Sequence, residues 1–473
     1  MTSRAAAPPR ADAPGGGPGG GPPPGGTGGE PGGGPGGGPS GGPPGGGPAG
    51  GGTGGRLGFG RAFGATILVA GTMLGAGLLA LPLISADMGF GFAAVAMIAL
   101  WALLTYTGLM MLEVCLAFPR FTEFQGIART LFGEKGALAI NTVTLLLLFT
   151  LSASYISAAA SVWGFDLKQY LGVSAPSWAM AAAYTAIVGL AVVAGANVVA
   201  GAAKVFFTLN LVILALLVAS VEPSVRASYL AENPSQWVFM WAAVPVFMTS
   251  FGFHTSIPTV VKYVGPGHAR ALRQIFIVGG VIPLLAYLAW IFVSLGALPR
   301  TGPHSFAAAQ AEGGSMGSFL AQIAPVIGSP VVPNLFYVFA TVVLLTSYMT
   351  AGLSLVDILG GSVKGLFRWR PQGVSRRLML AAIAFLPPFA VVVFYPNGFV
   401  PLLGVASIFC IVTSMLFPGM ALWRVRSRGP RELGLIAPSY RVLWGWAAFV
   451  LVLATSAGVL VLQILNMIGD LPT

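Results

Sequence analysis

The sequence predicts an all-α polytopic membrane protein in which eleven transmembrane helices form a five-plus-five inverted repeat with discontinuous first and sixth helices. Three observations predict it: the composition, the way apolar spans sort the basic residues, and two interrupted spans at corresponding positions of two halves. Of 473 residues 55% are hydrophobic and 8% charged, and the mean hydropathy is +0.83, whereas about a quarter of residues are charged in soluble domains. The formal charge of +11 does not indicate nucleic acid, because the basic residues sit in short loops between apolar spans, where they set orientation. Cys115 and Cys410 lie inside apolar runs with no neighbouring ligand cluster. Neither a disulfide framework, a metal site nor a cofactor is indicated.

Residues 1–55 are almost entirely Gly and Pro and cannot bury enough surface to offset the entropy of ordering. They are expected to be a disordered cytoplasmic tail, with residues 56–473 as one transmembrane domain. No cleaved secretory signal is expected, since no basic start runs directly into an apolar core. From there, spans of about 20 apolar residues begin near Gly64, Gly89, Ala137, Ser177, Ala203, Val238, Leu272, Pro333, Arg377, Gly398 and Tyr440. Pro82, Pro245, Pro258, Pro283, Pro387 and Pro388 fall inside them, as membrane helices tolerate.

If the first span runs from inside to outside, only Lys168, Arg226 and Arg300 of the 24 Lys and Arg fall outside. That is the asymmetry of the positive-inside rule, and one span more or fewer in the middle would scramble it. The N-terminus is then cytoplasmic and the C-terminus lies on the opposite side of the membrane. Residues 222–236 and 300–331 become outer loops, the second with a short helix around Met316–Ile327.

The first span centres on Gly71-Thr72-Met73-Leu74-Gly75-Ala76-Gly77. Each glycine costs about 1 kcal/mol relative to alanine in a helix interior, so a helix that only had to span would not be built this way. Backbone groups freed by a break at membrane depth must face protein or a polar cavity, which suits a gap that holds a ligand. The glycines also fit small-residue helix packing, Gly71-x-x-x-Gly75 being such a motif. The sixth span repeats the pattern in Val244 to Pro258, VPVFMTSFGFHTSIP, with Gly252 between polar steps and His254 at bilayer depth. Interrupted segments at matching positions of two halves point to a transporter's substrate site. Half-helix N–H groups suit a carboxylate and freed carbonyls an ammonium, together an amino-acid zwitterion. No Walker-type phosphate loop is present, so an ion gradient is the expected driving force.

The stretches VAGTMLGAGLLALPL, LWALLTYTGLMMLEV, ASYISAA, AAVPVFMTSFGFHTSIPTVVKY, FLPPFAVVVFYPNGF and GLSLVDIL resemble the bacterial hydroxy/aromatic amino acid permease family, within the amino acid/polyamine/organocation superfamily. The resemblance covers the chain from about residue 57 and omits the tail. It implies eleven spans, the five-plus-five inverted-repeat fold, and proton-coupled uptake of tyrosine or a related aromatic amino acid across the inner membrane. In proton-driven relatives a lysine on the fifth helix stands where sodium-driven ones bind their ion. That position corresponds to Lys204, for which the alternative is snorkelling to the cytoplasmic interface. Thr346, Ser347 and Thr350 match the region that completes the ion site in sodium-driven relatives, although hydroxyls bonding back to their own helix explain them as well.

The expected substrate site comprises Gly71, Thr72, Gly75, Ala76 and Gly77 of the first break, Ser250, Phe251, Gly252, Phe253 and His254 of the second, and Tyr155 on the third helix. His254 titrates near physiological pH and is a candidate to bond a substrate phenol or move a proton, or to be an ordinary satisfied core histidine. Tyr155, among Ser152, Ser154 and Ser157, gives its helix a polar face. Trp241 and Tyr348 are weaker pocket candidates, since most aromatics in a bundle are packing or belt. Glu113 and Asp357, near cytoplasmic span ends, are expected to be hydrated at the interface, with pairing to a loop arginine at an inner gate as the other reading. The expected partners are an amino-acid substrate, protons and the lipid bilayer. Tryptophan and the hydroxy amino acids serine and threonine are the alternative cargoes. A membrane enzyme or sensor is the distant alternative, disfavoured because no convergent catalytic groups are found.

Overall fold

Helices with apolar stretches longer than any soluble domain needs account for the architecture. The computed structural model describes residues 57–232, 239–329, 331–362, 373–443 and 445–468. The Gly/Pro-rich tail lies outside the described residues, as does the side chain of Trp241. In chain order the helices are α1 (Phe59–Met73), α2 (Gly77–Ser85), α3 (Gly89–Ala117), α4 (Phe124–Leu171), α5 (Ser177–Ala194), α6 (Ala196–Val221), α7 (Ala227–Ala231), α8 (Phe239–Ser250) and α9 (Ile257–Val264). They continue with α10 (Ala269–Ala297), α11 (Phe306–Ala311), α12 (Met316–Ile327), α13 (Val331–Ser362), α14 (Gly373–Phe394), α15 (Phe399–Ile411), α16 (Phe417–Arg428) and α17 (Gly445–Ile468).

Among the described residues eight helices are long and apolar enough to cross a membrane, and α1 with α2, bent by 52° at their break, make a ninth. Two shorter apolar segments, α8 to α9 across the second break and α17, make this set compatible with the eleven spans expected. The interruption is therefore present at both predicted places. The short helix expected around Met316–Ile327 is α12, and its start is capped by Ser315, whose Oγ accepts the Ser318 N–H at 3.1 Å. Pro258 proves to sit in the first turn of α9, where a missing N–H leaves nothing unpaired.

Two local features were not anticipated. Gly133, at φ +74°, kinks α4 between its amphipathic start and its spanning part, a conformation open to glycine at little cost. Between α15 and α16 the chain makes a π-helical turn, Val412–Leu416. Such turns insert an extra residue into a helix and often mark functional sites.

The two interrupted segments form the centre. The half-helices α2 and α8 pack together, α10 covers α1 and α2, and α3 and α15 flank α8. The α4 helix packs against α13 and α15, while α13 also contacts α6. Burial falls outward: α3, α10, α13 and the α15–α16 span bury half or more of their apolar stretch, but α5 and α6 less than a third. Ile187, Leu190, Val205, Val212 and Leu216 on α5 and α6 are exposed. A contiguous apolar surface of this kind belongs in lipid, not water.

Glu113 departs from its expected hydration. It is 1% exposed, and its carboxylate accepts the Nε and Nη2 of Arg426 at 2.8 and 2.6 Å and the N–H of Val442 at 2.7 Å. The same Arg426 Nη2 donates to the Val442 carbonyl at 3.0 Å. One buried carboxylate thus ties α3, α16 and the segment before α17 together. Asp357 is exposed, as an interfacial residue should be. Arg426→Ala leaves the Glu113 charge buried without its main donor, which costs about 3 kcal/mol. A lowered thermal unfolding midpoint of the purified protein is expected, and an unchanged midpoint would show that Glu113 finds water instead.

Candidate functional site

The first break spans Leu74 to Ala76, between α1 and α2. The Gly75 N–H turns back to the Met73 carbonyl at 2.6 Å. The next donor, Ala76 N–H, leaves its own segment and reaches the Ser347 Oγ of α13 at 2.9 Å, while Ser347 donates to the Val343 carbonyl at 2.8 Å. Among the described residues no backbone carbonyl takes up the Gly77 N–H. That donor is the partial positive end of the α2 half-helix.

Both readings of the glycines hold, at different residues. An added Cβ on Gly71 would lie 3.2 Å from the Phe207 ring of α6, so Gly71 serves helix packing. On Gly77 it would lie 2.6 Å from Ser250 Oγ, and on Gly75 3.2 Å from Ser347 Oγ. These two let the breaks approach each other and α13. The hydroxyl of Thr72 bonds back to the Val69 carbonyl at 2.7 Å, its own helix.

The second break runs from Phe251 through a 3-10 turn, His254–Ser256, into α9. Phe251 and Gly252 donate to the Met248 and Thr249 carbonyls, both at 3.3 Å. The N–H groups of Phe253 and His254 have no backbone acceptor among the described residues. Phe251 packs edge-on to Tyr287, with centroids 5.2 Å apart. The Phe253 ring lies over Gly108 of α3, where a Cβ would come within 2.4 Å of it. Gly252 faces Cys410, whose Sγ would be 3.1 Å from an added Cβ. Cys410 sits just before the π-helical turn, which brings Ser414 Oγ to 3.6 Å from its sulfur. His254 is 1% exposed. Its Nε2 is 2.9 Å from the Thr107 hydroxyl of α3, and its Nδ1 has no partner among the described residues.

One side chain joins the two breaks. The Tyr287 hydroxyl of α10 lies 2.6 Å from the carbonyl oxygen of Met73 and 2.9 Å from that of Ser250. These are the last residues of α1 and of α8, so the donor sits between two half-helix C-termini, the partial negative ends. Sequence reasoning passed over Tyr287 because a single tyrosine in an apolar span does not differ from belt or packing. Asn210 was missed for a related reason. It is buried on α6 with its Oδ1 unpartnered, beside Leu74 in a cavity of about 10 Å³ also lined by Phe207 and Val343. That volume admits about one water and no amino acid.

The remaining candidates divide. Ser347 is in direct contact with the first break, but Thr346 and Thr350 bond back to their own helix, Thr346 to the Val342 carbonyl at 2.7 Å. Tyr155 is 8% exposed, with no hydrogen-bond partner among the described residues. Its serine neighbours serve structure: Ser154 and Ser157 donate to the Phe399 and Pro396 carbonyls at 2.8 and 2.6 Å, which holds the FYPNGF turn. Lys204 is exposed on α6, and the α6 residues placed at the first break are Phe207, Asn210, Leu211 and Leu214. No cluster of metal-ligating side chains occurs among the described residues. Near the start of α1 and the end of α9, Arg61 donates from Nε and Nη2 to the Tyr263 carbonyl at 2.9 and 2.5 Å.

Residues 60–463 match the model of the tryptophan/tyrosine permease family. The chain is 32% identical over 414 residues to tyrosine-specific transport system 2 of Haemophilus influenzae, covering 87% of this chain and 98% of that one. It is 27% identical over 416 residues to the tryptophan-specific transport protein of Pseudomonas aeruginosa, covering 86% and 95%. The fold is similar to that of a manganese transporter from Eremococcus coleocola, with a TM-score of 0.57 at 14% identity over 87% of this chain and 88% of that one.

Tyr287→Phe removes the only side-chain donor found, among the described residues, on the Met73 and Ser250 carbonyls. The Met73 carbonyl keeps the Gly75 N–H, whereas leaving the buried Ser250 carbonyl unpaired costs about 1–3 kcal/mol. Hydrogen exchange measured by mass spectrometry should speed up in peptides covering residues 70–80 and 248–258 and stay unchanged in α5. Equal rates in both proteins would mean that the tyrosine does not hold the breaks.

Proposed function

Because the chain belongs to the tryptophan/tyrosine permease family, a family of transporters and not of enzymes, we propose that it is a secondary active symporter that carries tyrosine, driven by protons, into the cytoplasm. The observation that carries this reading is the pair of facing half-helix breaks, whose freed N–H groups and carbonyls are complementary to an amino-acid zwitterion. The chain is a multi-pass membrane protein, and the reading places it in the bacterial inner membrane with a cytoplasmic N-terminus and a periplasmic C-terminus.

In this mechanism the N–H of Gly77, with those of Phe253 and His254, receives the α-carboxylate, and the carbonyls now bonded by Tyr287 receive the α-ammonium. Gly71, Thr72, Gly75, Ala76, Ser250 and Gly252 shape the backbone, while Tyr155 turns its hydroxyl to the carboxylate. The ring takes the space that Phe251 and Phe253 fill in the closed state. Substrate entry then requires α1 and α2 to part from α6 and α13, since the cavity at Leu74 admits only water. Opening first to one side and then to the other gives alternating access.

Coupling is assigned to Lys204, with Thr346 and Ser347 completing the cation-sensing side of the first break and His254 as the titratable group at the second. Ser347 supplies the link to the Ala76 backbone. Tyrosine is preferred over tryptophan, serine and threonine on similarity to the Haemophilus influenzae tyrosine-specific system.

Proteoliposomes carrying the purified protein should accumulate labelled tyrosine against its gradient under an imposed proton gradient. Binding without accumulation would replace the symporter with a sensor. Competition by each of the twenty amino acids ranks the cargo, and a stronger effect of tryptophan than of tyrosine would reverse the order proposed here. Lys204→Gln should abolish gradient-driven accumulation but leave tyrosine exchange intact. Normal accumulation in that variant would move coupling to His254, where His254→Gln makes the same comparison.

A further inference from the structure

A second cavity lies well away from the breaks. Between the C-terminal end of α4 and the N-terminal part of α13 a space of about 360 Å³ is lined by Asp166, Tyr170, Asn334, Tyr337 and Thr341. Tyr337 precedes Ser347 by ten residues on α13, a rise of about 15 Å. The cavity is thus near the end of the bundle, on the side of the outer loops in the predicted orientation. Its volume lies in the range of small-molecule sites, about 300–1,000 Å³.

The chemistry of its walls is specific. The Oδ1 of Asp166 is sealed from solvent and has no hydrogen-bond partner among the described residues, and neither ion pair found among them involves Asp166. Two of the donors nearby are committed elsewhere. The Tyr170 hydroxyl bonds to Asn334, and the Trp163 Nε1 donates to the Thr341 hydroxyl at 3.3 Å. Tyr170 and Tyr337 meet edge to face, their centroids 6.1 Å apart, and Phe165 backs Tyr337 at 5.5 Å. A carboxylate oxygen withdrawn from water without a donor is costly. A carboxylate beside tyrosine rings offers a cation both a charge-assisted hydrogen bond and ring faces. The site has a single carboxylate, too few oxygen ligands for a hard metal ion.

We propose that this cavity is a peripheral binding site for a primary ammonium group, with Asp166 as its counter-ion and the rings of Tyr170 and Tyr337 as its walls. The ammonium comes either from a free amine or from the ethanolamine headgroup of a lipid, since the cavity sits at a helix end. This inference does not rest on the transport reading: binding is measured with no gradient, and a chain that moved no tyrosine would still carry the site.

The test uses the full-length purified protein and two probes. In lipid-free detergent, 2-phenylethylamine is titrated by isothermal calorimetry. In nanodiscs, the unfolding midpoint is compared between phosphatidylglycerol alone and phosphatidylglycerol mixed with phosphatidylethanolamine. A free-amine site predicts binding weakened at least ~10-fold, about 1.4 kcal/mol, in Asp166→Asn and in Tyr337→Leu and unchanged in Thr455→Ala on α17, whose hydroxyl bonds to its own helix. A headgroup site predicts that ethanolamine lipid raises the midpoint of the wild type and not of Asp166→Asn. Equal responses of wild type and Asp166→Asn to both probes overturn the proposal. Should Asp166→Asn fail to elute as a single species, Tyr170→Leu, at an exposed ring, carries the same comparison.

Discussion

A broken helix in a bilayer has no water to satisfy the backbone groups that the break sets free, and the centre of this molecule is arranged around that constraint. At the first break the α2 N-terminus borrows the hydroxyl of Ser347. The ends of α1 and α8 share the hydroxyl of Tyr287. What is left over, the N–H groups of Gly77, Phe253 and His254, has the polarity that an anionic group requires. In the transport mechanism proposed above, structural repair and ligand recognition draw on one set of atoms, so an opening that admits substrate must replace the bonds it breaks.

The packing follows from the same demand. Glycines occur where a second backbone or ring comes close: Gly77 against Ser250, Gly108 under Phe253, Gly71 under Phe207. Small residues allow this approach where the lipid supplies no hydrophobic drive between helices. Farther out the requirement relaxes, and α5 and α6 present Leu190 and Val205 outward. The buried Glu113–Arg426 pair works against this gradient, holding α3 to α16 and to Val442 near the helix ends. A carboxylate that deep is retained only with its donors in place.

The sequence by itself determined the all-helical membrane class, the positions of the apolar stretches and the two interruptions, because hydropathy and glycine placement are local signals that lipid enforces strongly. It also marked Ser347 and the short helix Met316–Ile327. Only the tertiary structure decided which polar groups serve the breaks. Tyr287 and Asn210 are single polar residues in apolar spans, and their meaning depends on which helix they face. Thr346 returns its hydroxyl to its own backbone although it adjoins Ser347, a difference of helix face that hydropathy does not register. Lys204, judged from its place in the chain, stands in the open, and Glu113, judged the same way, is sealed inside. In each case the local pattern fixed the depth of a residue along its helix, and packing of neighbours distant in sequence fixed the direction in which its side chain points.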